Sequence, residues 1–112
     1  MYTTVNIEEG LPRVDEAIRR ATRALHSAKR EQVVAVKLIH GYGSSGSGGR
    51  IRTELRSYLE RQVRRGEVRM FVPGERLDIF DAQTRALIDA CPPFARDSDL
   101  NRHNNGITVV LL

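Results

Sequence analysis

The chain has 112 residues, a formal net charge of +4 and one cysteine. That length suits a single domain, residues 1–112, with one modest core. Cys91 has neither a second thiol nor a histidine at ligand spacing, which excludes an internal disulfide and a zinc site. No apolar run approaches the roughly 20 residues that span a bilayer, and MYTTVNIEEG lacks the basic start and apolar stretch of a leader. A cytoplasmic protein with no membrane partner is expected.

Strands and helices alternate along the chain. YTTVNIE, with Thr3, Val5 and Ile7 on one side, reads as a strand that Gly10-Leu11-Pro12 ends. Leu11, Val14, Ile18, Ala21, Leu25 and Ala28 recur three and four apart and predict one face of a helix. VVAVKLIH is a β-branched run, as expected of a strand covered on both faces or central in a sheet. A Gly/Ser loop follows, then Ile51, Leu55, Tyr58, Leu59 and Val63 mark a second amphipathic helix that Gly66 ends. The arginines of this helix fall largely off its apolar stripe. EVRMFV is a third strand, stopped by Pro73-Gly74. Asp81 can cap a short helix, Ala82 to Cys91, which Pro92 terminates. After a polar stretch, ITVVLL closes the chain as a strand. The order implies an α/β fold with helices on a mainly parallel or mixed sheet.

The positive charge is concentrated. Between Arg50 and Arg69 stand seven arginines and three glutamates, a local excess of four that equals the excess of the whole chain. Arginine grips phosphate oxygens in pairs, where lysine offers a point charge; a solvated helix face in an arginine-rich protein is the plainer alternative.

The loop after His40 is GYGSSGSGG. Gly41 to Gly46 satisfies G-x-G-x-x-G, but almost any window of such a stretch does, and no acidic residue ends the next strand to hold a ribose. A P-loop would require lysine where Arg50 stands, and no register gives the G-x-S-x-G of a nucleophile elbow. What remains is a run of backbone N–H groups able to approach an anion closely, at the positive end of a helix whose first turn carries Arg50 and Arg52. His40 stands at its mouth, and Tyr42 is placed to stack on a nucleotide. These features suggest phosphate binding; the alternative is a plain loop with His40 closing a strand.

VKLIHGYG with its Gly-rich loop, RIRTELRSYL, and the closing GITVVLL together resemble the small MutS-related (Smr) domain, marked by a strand ending in H-G-x-G before a helix and by a final G-x-T-x-V strand. The likeness runs from the first strand to the last. It implies a two-layer βαβαββ sandwich with a mixed sheet, similar to the C-terminal domain of translation initiation factor three, and binding or nicking of DNA or RNA. His40, Gly41 and Gly43 occupy its motif, and Ile51-Arg52 its helix start. The family usually carries L-D-x-H-G on the first strand; here Asn6 replaces the acid and Glu8 the histidine, leaving a carboxylate without the imidazole. Residues 74–105 form an insertion with a short helix of its own, suited to covering a sheet edge or meeting a partner.

The expected phosphate or nucleic-acid site comprises His40, Gly41, Tyr42, Gly43, Gly46, Gly48, Arg50, Arg52 and Arg56, with His40 and Glu8 as candidates for residual endonuclease chemistry. No cofactor or metal site is assigned. DSDLN, Asp97 to Asn101, lacks the Gly and Glu of an EF-hand; a looser divalent-cation site from Asp97, Asp99 and Glu8 is the alternative to a solvated turn. With few aromatic residues to stack bases, recognition by backbone and shape is expected. A small phosphate ligand or nucleotide, or a protein partner, is the competing reading.

Overall fold

The computed structural model describes residues 1–42 and 48–112. Strands β1 (Tyr2–Asn6), β2 (Ala35–Ile39), β3 (Met70–Pro73) and β4 (Ile107–Leu111) form one sheet, with helices α1 (Val14–Arg30), α2 (Gly48–Arg64) and α3 (Ala82–Ala90). The spatial order is β1-β2-β4-β3. β1 and β2 run parallel, with Tyr2 opposite Ala35 and Asn6 opposite Ile39; β4 runs antiparallel to both β2 and β3. The expected α/β fold with a mixed sheet is the one observed, with α3 as the extra helix before the last strand.

Alternation along the central strands divides the core. Val36, Leu38 and Val110 face α1 and α2, where they pack with Ala17, Ala21, Leu25, Ile51, Leu55 and Leu59. Ala35, Ile107, Val109 and Leu111 face the other way, against Leu77, Leu87, Cys91 and Phe94. The segment 74–105 therefore covers the second face of the sheet. This is why VVAVKLIH and ITVVLL carry almost no polar positions: β4 is buried along its whole length. Phe94, fully buried, meets Tyr2 edge-on with ring centroids 5.0 Å apart.

Local chemistry sets the helix ends. α1 has Asp15 and Glu16 in its first turn and Lys29 and Arg30 in its last, which suits the helix dipole. α3 starts where the Asp81 side chain accepts from the Thr84 amide at 2.9 Å. α2 differs: its first turn has no acid and holds Arg50, with Arg52 close behind. No described helix is long and apolar enough to cross a membrane.

Candidate functional site

His40 follows β2 directly, and alternation turns its ring to the α1–α2 face, beyond Leu38. The ring is completely buried. Its Nδ1 lies 3.0 Å from the Gly41 carbonyl oxygen and its Nε2 lies 2.9 Å from the Thr108 hydroxyl. A carbonyl can only accept, so Nδ1 carries the proton of the neutral ring and Nε2 accepts from Thr108. Burial pushes the ring's pKa down to about 4, and the charges of Arg56 and Arg52 push the same way. The backbone holds this corner as well, because the Gly106 carbonyl accepts from the amides of both His40 and Gly41, at 2.9 and 3.0 Å. Tyr42, 59% exposed, lays its ring edge against Gly106.

Thr108 joins His40 to α2. Its hydroxyl donates to His40 and accepts from Nε of Arg56 at 3.4 Å. The two remaining Arg56 nitrogens each donate to one carboxylate oxygen of Glu75, both at 2.8 Å. Burial would raise the Glu75 carboxyl, but hydrogen bonds from Arg56 and the charges of Arg56 and Arg52 outweigh it and hold the group below its ordinary value. A chain of contacts thus runs Glu75, Arg56, Thr108, His40, Gly41.

The family model for the Smr domain matches residues 10–78, more than half of the chain. The chain belongs to the Smr domain family. Among solved structures, it is similar to the Smr domain of Thermus thermophilus MutS2, with a TM-score of 0.60 and 24% identity over 98% of this chain and 96% of that one. That likeness concerns the fold. No curated protein sequence matches the chain significantly.

In this Smr domain the residues singled out in the sequence do not all meet at one point. His40, Gly41, Tyr42, Arg52 and Arg56 share the end of β2, with the two arginines close enough to bias the His40 ring. Arg50 lies elsewhere, lining a cleft between α1 and α2 with Arg13, Arg61 and Tyr58. Gly43 and Gly46 lie outside the described residues, and Gly48 is the first residue of α2. Glu8 does border the site: its carboxylate rests against the α-carbon of Gly41, where a β-carbon would overlap it. Asn6 closes the turn there, its side-chain oxygen accepting from the Glu8 amide at 2.9 Å.

The acids of DSDLN are committed elsewhere. Lys37 on β2 places Nζ 3.0 Å from Asp97 and 2.6 Å from Asp99, and Tyr2 donates to Asp97 at 2.6 Å. Lys37 and Asp97 side chains are only 8% and 5% exposed. This buried ion cluster replaces both the solvated turn and the divalent-cation site considered from sequence, and Glu8 has no part in it. Among the described residues, no group of three or more His, Cys, Asp or Glu side chains is arranged to hold a metal.

Two participants were not picked out from the sequence. Thr108 is the threonine of the G-x-T-x-V strand, so its motif position was the available signal. Glu75 had none, because only the turn after β3 brings it to α2.

Proposed function

We propose that this Smr domain binds DNA or RNA through the phosphate backbone and cleaves it poorly or not at all. The observation that carries the reading is the end of β2, where Arg56 of α2 reaches Thr108 and Arg52, one turn earlier on the same helix, lies close enough to bias the His40 ring. Arg50, in the first turn of the same helix with no acid beside it, opposes the helix dipole, an arrangement that an anion relieves. Family membership supports the same direction. Tyr42, exposed beside Gly41, is the aromatic surface available to a nucleotide.

Poor cleavage follows from the groups present. Breaking a phosphodiester requires a base for the nucleophile and positive charge on the phosphate. Arg52 and Arg56 supply charge. The His40 ring is buried and neutral at pH 7, with Nε2 already accepting from Thr108, so it acts as a strut that fixes Gly41. Of the carboxylates beside the site, Glu75 is engaged by Arg56, and Glu8 rests against Gly41 without the imidazole usual for the family.

Fluorescence anisotropy with duplex DNA, duplex RNA, a four-way junction and a stem-loop, each at several salt concentrations, tests binding. The same substrates incubated with magnesium or manganese test cleavage. Binding that weakens steeply with salt, with little nicking, is expected. Efficient turnover that is lost in both His40→Ala and Glu8→Gln, while binding persists, would overturn the cleavage half of the reading.

A further inference from the structure

We propose that the guanidinium of Arg56 is a phosphate seat that the Glu75 carboxylate occupies in the free protein, so that Glu75 limits how strongly this Smr domain holds a backbone phosphate. The inference rests on the nucleic-acid reading above and identifies the contact that binding must exchange.

The geometry is that of an anion site already filled. Arg56 donates twice to one carboxylate, both bonds 2.8 Å, and this fork is the one that phosphate oxygens take. Its third nitrogen, Nε, faces Thr108, which holds the plane of the fork against the sheet. The two partners are unequally placed: the Arg56 side chain is 18% exposed and that of Glu75 42% exposed. Arg56 is therefore fixed, whereas Glu75 approaches from the solvent side and can be displaced into water. Arg52 adds a second positive charge that Glu75 feels.

Glu75 is delivered by the single-turn 3-10 helix Gly74–Arg76 at the end of β3. Gly74 is buried with the backbone of Asn104 and the side chain of Ile107 where a β-carbon would lie, so the turn is seated closely on the sheet. The carboxylate is thus presented to Arg56 by fixed backbone. Exchange of one anion for another keeps the Arg56 fork paired, so it leaves the fold nearly unaffected. A backbone phosphate gains Arg56 only by displacing a group of equal charge, and the free protein is weakened as a binder by that competition.

The test follows the Nε–Hε NMR signal of Arg56 during titration with inorganic phosphate, in the unmodified protein, Glu75→Gln and Glu75→Ala, with duplex binding measured in parallel. In both variants the signal should half-saturate at about tenfold less phosphate than in the unmodified protein, the difference expected when one charge-assisted contact no longer competes. Duplex affinity should rise with it, and the salt slope should steepen by about 0.9 for one added phosphate contact. Glu75→Ala keeps the test decisive if Glu75→Gln folds poorly. Equal half-saturation in all three proteins, or an Arg56 signal that ignores phosphate in both variants, would overturn the seat. A variant signal that responds while no nucleic acid binds would keep the seat and remove the nucleic-acid reading.

Discussion

The hydroxyl of Thr108 lies 2.9 Å from Nε2 of His40, joining the last strand of the chain to the residue that precedes the Gly-rich stretch. The contact is buried on both sides, since neither residue is exposed. Thr108→Val keeps the shape and leaves the ring nitrogen without a donor, which should destabilise the fold by about 1–3 kcal/mol. Urea denaturation measures it, and a change near zero would mean that the bond contributes nothing.

The same ring makes stability depend on pH. Its pKa in the fold is about 4, against 6.5 ordinarily. Between those values the unfolded chain binds more protons than the folded one, so acidification favours unfolding and stability rises with pH across the window. An NMR titration of the His40 ring protons should give a midpoint near 4, whereas a midpoint above 6 would show that the ring is open to water.

Gly41 carries two separate constraints. Its φ is +80°, and a β-carbon there would overlap the Glu8 carboxylate. Gly41→Ala should cost about 1–3 kcal/mol from backbone conformation and crowding together. Adding Glu8→Ala should recover the crowding part alone, so the double variant lies between Gly41→Ala and the unmodified protein. Full recovery would show that the left-handed backbone costs nothing here.

Lys37 is the most consequential buried charge. Burial would lower its pKa, but hydrogen bonds to Asp99 and Asp97 raise it overall, and burial with the Asp97 contact pushes the Tyr2 phenol up to about 12. Both groups hold their protons more tightly folded than unfolded, so the stability they contribute is present at neutral pH and is lost as pH climbs above about 10. Lys37→Met would leave Asp97 and Asp99 facing each other without a cation, and should cost about 3–5 kcal/mol by thermal or chemical denaturation. A loss below 1 kcal/mol would mean that water already screens the cluster.

What the sequence made legible was local or periodic. The helix over Val14 to Ala28 follows from apolar spacing, and the start of α3 at Asp81 from one capping side chain, because each depends on residues within a turn or two. The β-branched run before His40, interrupted only by Lys37, also signalled a strand covered on both faces or central in the sheet, although not what covers it. Burial of His40 was not legible, since it depends on β2 pairing with β4 and bringing in Thr108 from 68 residues away. The pairing of Lys37 with Asp97 and Asp99 was hidden for the same reason, and in isolation DSDLN reads as a solvated turn. Arg50 and Arg52 look equivalent in sequence; helical rotation sends Arg50 to the α1 cleft and leaves Arg52 near enough to Glu75 and His40 for its charge to act on both.

That difference between neighbouring arginines gives the most direct measurement of the central claim, which is backbone recognition at the end of β2. The dependence of log K on log salt for duplex DNA should be compared between the unmodified protein and Arg52→Ala. Arg52→Ala should weaken binding and flatten the slope by about 0.9, the loss of one phosphate contact, with melting temperature unchanged. Arg50→Ala should lose less affinity. An Arg52→Ala slope equal to that of the unmodified protein, at equal affinity, would contradict the claim and place any nucleic-acid surface elsewhere on the domain.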